Sequence, residues 1–253
     1  MSEDILSQLV TLSNHLGDPS LDYVILGEGN TSARAAAETF WVKASGHEMR
    51  TITSDGFVQV AFERVLALLD RTNLSDLEVK DGLSAAKIDP SVSAHPSVET
   101  LFHALCLGLE GVNFVGHTHP VAVNSLTCSA AFETAFRGRL FPDEIVVCGP
   151  APLLVPYTDP GVPLARRVKR LLSEYTDGYG APPRVVILQN HGMIALGRSA
   201  AQVENITAMM VKTARVLLGT FATGGPRFMP PAEVERIHGR PDEHYRRKQL
   251  GIE

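Results

Sequence analysis

Residues 115–120 read VGHTHP, which places two histidines, His117 and His119, one residue apart at the end of an apolar run. Side chains at positions i and i+2 of a β-strand point to the same face, so one extended segment can aim both imidazoles at a single point. Pro120 cannot donate to a sheet ladder, so it ends the strand and leaves the rings at a strand end, where binding sites are common. The two histidines are therefore either metal ligands or solvated polar residues.

Two further residues favour a metal. His191 follows another apolar run, VVIL, and precedes a glycine, while Glu99 lies on a predicted helix that leads to the strand of the two histidines. Three neutral imidazoles with one open position are typical of a catalytic Zn²⁺ or a related divalent ion. The three cysteines are widely spaced and form no CxxC pair, which argues against a disulfide framework and a thiolate zinc site. The pattern indicates a Lewis-acid site rather than a structural zinc.

The charge balance excludes some classes of partner. The 253 residues are 44% hydrophobic and carry 23 Lys and Arg against 28 Asp and Glu, a net charge of −5. Proteins that bind nucleic acid or anionic membranes normally show a basic excess, so neither partner is expected. No apolar run approaches the roughly 20 residues of a membrane span, and the acidic, amphipathic N-terminus is unlike a signal peptide. We therefore expect a cytoplasmic protein.

Strands and helices interleave along the chain, which predicts one α/β domain over residues 1–253, with residues 224–253 as a C-terminal tail. Hydrophobic periodicity predicts helices at 5–17, 62–69, 95–111 and 200–221, the third with Ser97 as its N-cap. A further helix is expected after the turn at residues 160–161. Strands are expected at 23–26, 31–35, 40–44, 57–60, 113–116, 145–148, 184–188 and 193–196. The polar residues 70–93 are expected to form an irregular surface segment.

Two other classes of protein carry a pair of histidines with this spacing. The cupin pattern, G-x5-H-x-H, fits the stretch from Gly111 to His119, but Val123 and Asn124 stand where its glutamate should follow. The long predicted helices also contradict an all-β barrel. An amidohydrolase barrel would carry the pair on its first strand, near the N-terminus, whereas this pair lies in the middle of the chain. Neither class fits.

Four separated segments together resemble the class II aldolase/adducin family. These are GEGNTSAR (27–34), KASG (43–46), HPSVETLFH (95–103) with VGHTHP, and QNHG (189–192), in the order seen in that family. The similarity runs from about Gly27 to Gly219 and is strongest to the aldolase part of rhamnulose-phosphate aldolase proteins. It implies a three-layer α/β/α fold around a mainly antiparallel central sheet. It also implies a cyclic homotetramer with active sites between subunits.

The resemblance assigns roles to individual residues. It implies metal-ligand roles for His117, His119 and His191, an acid/base role for Glu99, and phosphate contacts for Gly29, Asn30, Ser45, Gly46 and Ser97. The implied metal is Zn²⁺, with Mn²⁺ and Co²⁺ as alternatives. The residue chemistry agrees, because a glycine lets an anion approach the backbone, an amide donates to it, and a helix N-terminus attracts it. From the residues alone, both glycine segments could also be simple turns, and Lys43 could point away in a salt bridge.

The reaction that the resemblance implies is cleavage of a ketose 1-phosphate to dihydroxyacetone phosphate and an aldehyde through a metal-stabilised enediolate. Family aldolases also use a tyrosine from a neighbouring subunit at the aldehyde oxygen. Tyr245 is the better candidate for that role and Tyr157 the weaker, since Phe136 and Phe141 occupy the region where a tyrosine would be expected.

Three other functions remain open at this point. A sugar-phosphate 4-epimerase shares the metal and the retro-aldol step; Asp143 lies at about the distance of that branch's aspartate, but in a different context. A decarboxylase acting on a 3-oxo acid phosphate would also fit the site. A non-catalytic, adducin-like interaction module is less consistent with three histidines and a glutamate.

Overall fold

The computed structural model describes residues 4–240. Within them, one sheet contains seven strands: β1 (Asn30–Arg34), β2 (Thr39–Lys43), β3 (Phe57–Ala61), β4 (Phe114–Thr118), β5 (Leu153–Val155), β6 (Val185–Leu188) and β7 (Gly192–Gly197). Their spatial order is β3-β2-β1-β4-β7-β6-β5, and every neighbouring pair is antiparallel except β5 and β6. The prediction of a mainly antiparallel central sheet is confirmed.

Helices cover both faces of the sheet. In the described part of the chain they are α1 (Ile5–Leu16), α2 (Phe62–Asp70), α3 (Asp76–Ala85), α4 (Thr100–Leu107), α5 (Val121–Thr127), α6 (Phe132–Phe136), α7 (Pro142–Cys148), α8 (Val162–Tyr179), α9 (Ala200–Phe221) and α10 (Pro231–His238). Helices α1, α5, α6, α7, α9 and α10 share one apolar core with the sheet, and α2, α3, α4 and α8 share the other. This is the predicted three-layer α/β/α arrangement. Among the described helices, none has the length and apolar character needed to cross a membrane.

Strand β4 lies at the middle of the sheet and carries the first of the paired histidines. Its side chains alternate, so that Phe114 packs in the core of α1 and α9, whereas Val115 packs in the core of α4. Gly116 faces α9 so closely that a β-carbon there would lie 2.6 Å from Cγ1 of Val203. His117 therefore lies on the α4 side, as the alternation of a strand requires.

Residues 145–148 were expected to form a strand, and this prediction is wrong, because they end helix α7. A short apolar run fits a strand and a buried helix equally well, so periodicity alone does not decide. Pro142 begins the helix, and the buried Arg139 bonds its C-terminal end through the carbonyl oxygens of Cys148 and Gly149, at 3.1 and 2.9 Å. Arg139 also pairs with Glu144 at 2.8 Å. Contacts outside the run therefore fix the helix.

Other expectations also need correction. The supposed surface segment 70–93 contains helix α3, which begins with a capping box between Ser75 and Glu78. The helix expected at 95–111 spans only Thr100–Leu107, with Glu99 rather than Ser97 at its N-cap. Residues 23–26 form a loop, and the short strand β5 was not predicted. In these places local hydrogen bonds and partner strands override the hydrophobic pattern.

The proposed tail beginning at residue 224 is described only in part. Helix α10 packs Val234 and Ile237 into the core that it shares with α7. Residues 241–253, which include Tyr245, lie outside the described part of the chain. The division into one domain and a tail stays a prediction.

The buried ion pair beside α7 generates a stability prediction. Glu144→Gln leaves the Arg139 guanidinium buried without its counter-charge, so we expect the free energy of unfolding to fall by about 3–5 kcal/mol in urea denaturation. The matched control is Glu174→Gln, because the Arg170–Glu174 pair on α8 is exposed and should change stability by less than about 0.5 kcal/mol. Equal losses in the two variants would contradict the role assigned to the buried pair.

Candidate metal centre and anion pocket

Three histidines converge at one end of the central strands. His117 is the second-last residue of the fully buried β4, His119 follows directly after that strand, and His191 lies in the turn between β6 and β7. Nε2 of His117 lies 3.0 Å from Nε2 of His119 and 3.3 Å from Nε2 of His191. One ring nitrogen from each residue falls within 4.8 Å of the others, so the three side chains could hold a metal ion.

The hydrogen bonds of the rings suit that role. Nδ1 of His117 donates to the carbonyl oxygen of Met193 at 2.9 Å, which leaves the Nε2 lone pair facing the other two rings. Burial, together with the nearby His117 and His191, lowers the pKa of His119 to about 3, so this ring is neutral at physiological pH. Glu28 lies behind His119, with Oε2 3.8 Å from Nδ1. Neutral imidazoles with converging lone pairs fit a divalent cation such as Zn²⁺.

Glu99 completes the cluster from the N-terminal end of α4. Its Oε1 lies 3.2 Å from Nε2 of His191 and 3.5 Å from Nε2 of His117. Burial by itself raises the pKa of Glu99, but the charges and hydrogen bonds of His117 and His191 outweigh it and hold the pKa well below its usual range. The carboxylate is therefore ionised and lies beside the position that a metal would occupy.

Asn30 connects this cluster to β1. It pairs with His117 across the β1–β4 ladder, and its side-chain Nδ2 donates to Oε2 of Glu99. Gly29, the residue before it, has φ +66°, and a β-carbon there would lie 2.7 Å from the carbonyl oxygen of His117. The sequence GEGN therefore needs a glycine at this position, both for its conformation and for the close approach to β4.

Two loops, one directly after β2 and one just before Glu99 in the sequence, contain one unpaired buried hydroxyl. An isolated bridge joins Ala44 to Pro96, and the Ser45 amide donates to the His95 carbonyl at 2.9 Å, so the loop with Gly46 runs beside Ser97. The Ser97 hydroxyl is buried and has no hydrogen-bond partner. A buried hydroxyl without a partner is suited to forming a hydrogen bond with a ligand.

Lys43 adds a buried positive charge to this region. Only 3% of the residue is exposed, and its Nζ donates to the carbonyl oxygen of Gly27 at 3.5 Å. Burial lowers the pKa of Lys43, and the charge of Glu99 partly offsets this shift. A buried ammonium with one long hydrogen bond is poorly compensated, which favours an anionic ligand. From the sequence alone, Lys43 could also have pointed away in a salt bridge; in the structure its side chain is buried.

The structure separates the predicted site residues into two groups. It brings together Glu99, the three histidines, Gly29 and Asn30, with Ser45, Gly46 and Ser97 in the adjoining loops. Tyr157 is 60% exposed, and its amide bonds to the Gln189 side chain, two residues before His191. Phe136 is buried in the core. His103, to which the sequence analysis assigned no role in the site, is part of the hydrogen-bond network behind Glu99. Glu99 and His103 are four residues apart, a spacing that places both on one side of the helix, and this was the signal in the sequence that could have linked His103 to the site.

The fold and this site agree with the comparison to known families. Residues 7–218 match the model of the class II aldolase and adducin N-terminal domain. The chain therefore belongs to the class II aldolase and adducin family, whose aldolases are metal-dependent.

Individual relatives are similar to most of the chain. It is 27% identical to the uncharacterized oxidoreductase YuxG of Bacillus subtilis (strain 168) over 91% of its length, and it spans 33% of that protein. The N-terminal class II aldolase domain of a conserved Thermoplasma acidophilum protein is 26% identical, with a TM-score of 0.66 over 86% of this chain and 95% of that one. An L-fuculose 1-phosphate aldolase, 16% identical, has a TM-score of 0.69 over 94% and 96%. The last similarity concerns the fold alone.

The three histidines generate a prediction for metal binding. At a Zn²⁺, Mn²⁺ or Co²⁺ concentration of about 100 times the Kd, we expect the free energy of unfolding to rise by about 2.7 kcal/mol. His191→Ala removes one converging nitrogen and should lose most of this stabilisation, whereas His15→Ala, on the exposed side of α1, should keep it. Calorimetric titration gives the affinities directly. Unchanged metal affinity in His191→Ala would remove that residue from the site.

Proposed function

We propose that the protein is a metal-dependent aldolase that cleaves a ketose 1-phosphate to dihydroxyacetone phosphate and an aldehyde. The observation that carries the proposal is the position of Glu99, whose Oε1 lies 3.2 and 3.5 Å from two of the three converging imidazoles. Membership of the class II aldolase and adducin family supports an enzyme of this type. The fold shared with an L-fuculose 1-phosphate aldolase is consistent with it.

The metal would be held by His117, His119 and His191, and Zn²⁺ is the proposed ion, with Mn²⁺ and Co²⁺ as alternatives. A divalent ion in such a site supplies Lewis-acid stabilisation of the negative charge that develops when the carbon–carbon bond breaks. The backbone carbonyl of Met193 contributes by fixing the His117 tautomer, so that the nitrogen facing the site remains unprotonated.

Glu99 would move the proton at the reacting carbon. Bond cleavage releases a proton from the hydroxyl group that becomes the aldehyde and leaves negative charge on the dihydroxyacetone phosphate half. Glu99 would deliver a proton to the charged carbon after taking one up and would return to its ionised form, so that one proton released balances one proton added. Because the side chain is held by Asn30 from one side and faces His117 and His191 on the other, its position is fixed before substrate arrives. Such preorganisation converts binding energy into correct orientation.

The substrate phosphate would bind beside the loops of residues 44–46 and 95–97, which are joined to each other by backbone contacts. Its proposed contacts are Gly29, Asn30, Ser45, Gly46 and Ser97, to which we add the ammonium group of Lys43. The unpaired Ser97 hydroxyl and the poorly compensated Lys43 support an anionic occupant. Placing the phosphate there would hold the reacting end of the sugar next to Glu99.

We also propose that the active protein is a homotetramer with sites between its subunits. Five apolar or aromatic side chains near the site residues in sequence or hydrogen bonding are 41–76% exposed: Ile25, Leu26, Val98, Val121 and Tyr157. A neighbouring subunit that covered these side chains would bury them and close the site. The tyrosine that serves the aldehyde oxygen would come from such a neighbour, with Tyr245 proposed first and Tyr157 second.

The first experiment combines metal analysis with a retro-aldol screen. Purified protein is loaded with Zn²⁺, Mn²⁺ or Co²⁺ and offered ketose 1-phosphates, and release of dihydroxyacetone phosphate is measured. Epimerisation or loss of carbon dioxide without that release would instead support the 4-epimerase or the 3-oxo-acid-phosphate decarboxylase. A protein that binds no divalent metal and gains no activity from any of the three ions would contradict the enzyme proposal.

A variant of Glu99 tests its assigned role. Glu99→Gln keeps the size of the side chain but removes its basicity, so we expect metal content to persist and kcat to fall by about 10²–10⁴-fold. Glu110→Gln, an exposed residue beyond the other end of α4, is the matched control and should behave as wild type. If Glu99→Gln retains turnover, another group moves the proton.

Lys43 provides a test of the phosphate pocket. Lys43→Met keeps the length of the side chain and removes its charge, so the KM for a phosphorylated substrate should rise about 10- to 100-fold, as expected for loss of a charge-assisted hydrogen bond. Competitive inhibition by inorganic phosphate should weaken in parallel. Lys169→Met is the control, because the side chain of Lys169 on α8 is exposed. An unchanged KM in Lys43→Met would place the phosphate elsewhere.

A further inference from the structure

A continuous chain of buried hydrogen bonds runs behind Glu99. The Ser32 hydroxyl lies 2.6 Å from Nδ1 of His103, Nε2 of His103 bonds Oδ1 of Asn30, and Nδ2 of Asn30 donates to Oε2 of Glu99. Ser32 and His103 are completely buried, and Asn30 is 4% exposed. His103 lies one helical turn after Glu99 on α4, and Ser32 lies two residues after Asn30 on β1. The chain therefore joins the helix to the strand through polar side chains alone.

The ionised carboxylate of Glu99 sets the donor and the acceptor of every hydrogen bond in this series. An ionised carboxylate only accepts hydrogen bonds, so the NH₂ group of Asn30 must face Glu99 and its oxygen must face His103. That oxygen can only accept, so the proton of His103 must be on Nε2. Nδ1 is then a lone pair, which accepts from the Ser32 hydroxyl. Burial, with a contribution from the charge of His117, lowers the pKa of His103 to about 3, in agreement with a neutral ring.

We propose that His103 is a positioning residue that locks the Asn30 amide in the one orientation in which its NH₂ group faces Glu99. This inference rests on the proposed role of Glu99. Rotation of the amide by half a turn would bring its oxygen against the carboxylate and its NH₂ group against the Nε2–H of His103, so this tautomer of His103 and this orientation of the amide stabilise each other. The second hydrogen of Nδ2 remains for the anionic end of the substrate. One amide thus orients both the acid/base group and the phosphate.

A role in packing alone is the competing explanation. The His103 ring stacks on Phe102, with centroids 4.9 Å apart, in the core under α4. An apolar side chain of similar size would satisfy that contact without the two hydrogen bonds. Loss of packing would lower stability, whereas loss of the orienting bond would lower turnover while the metal ligands remained intact, since His103 forms its hydrogen bonds with Ser32 and Asn30.

The kinetic experiment compares variants of this one residue in metal-loaded enzyme. We expect His103→Leu to lower kcat about 10- to 100-fold with unchanged metal content. His103→Gln, which retains an N–H near the position of Nε2, should recover most of the loss. In an Asn30→Ala background, His103→Leu should cost less than about twofold more, because the residue acts through that amide. Cys106→Ala, a buried substitution on the same helix that does not contact the site, controls for packing and should leave kcat unchanged.

A second measurement does not depend on activity. Nitrogen-15 spectra of the histidine rings in metal-free wild-type protein, assigned with His103→Gln, should show His103 as the neutral tautomer protonated at Nε2. The opposite tautomer, an imidazolium, or wild-type kcat in His103→Leu would overturn the inference. If wild-type protein cleaves none of the ketose phosphates, the proposed function fails, whereas the Nδ1-protonated tautomer or an imidazolium at His103 would overturn this inference independently of activity. If His103→Leu does not fold, His103→Gln and Ser32→Ala are compared instead, and additive effects with Asn30→Ala would also overturn it.

Discussion

The antiparallel pairing of β4 with β1 on one side and β7 on the other is the constraint on which the site depends. This register sets Asn30 beside His117, and His117 beside Ile194. The same two ladders bring the turn with His191 alongside the end of β4. Backbone hydrogen bonds fix the three strands, and the short segments that continue from them carry His119 and His191 toward His117. Only Glu99 arrives from a helix, and it is tied back to β1 by the Asn30 amide.

The cluster is costly to bury, and the surrounding hydrogen bonds offset part of that cost. Burial, and to a lesser extent the charges of the neighbouring His117 and His191, lower the pKa of His119 to about 3. Glu99 compensates by remaining ionised beside His117 and His191. Three converging ring nitrogens beside one carboxylate form a site that is preorganised for a cation, and a bound cation would relieve the crowding of these nitrogens.

Much of this arrangement could be predicted from the sequence, because it depends on short-range patterns. Alternation along residues 113–119 predicts that both histidines share a face, and Pro120 marks where the strand ends. The boundaries of α9 also follow from periodicity alone. By contrast, helix α7 is fixed by Arg139 and Glu144, which lie outside or at the start of its apolar run, so the run itself could not distinguish helix from strand. The same limit applies to Lys43, whose inward direction depends on the loop of Gly27.

His103 shows why the hydrogen-bond network behind a site is harder to predict than the site itself. A ligand or an acid/base group must belong to a small set of residue types, so its chemistry is visible in the sequence. A positioning residue is defined by which atoms it touches, and those atoms come from β1, whose separation from α4 along the chain exceeds 60 residues. The charges of Lys43 and Glu99 interact in this region, and the Asn30 amide that His103 contacts donates to Glu99. Fixing that one amide therefore orients the proposed acid/base group in the region where the anionic end of the substrate is proposed to bind.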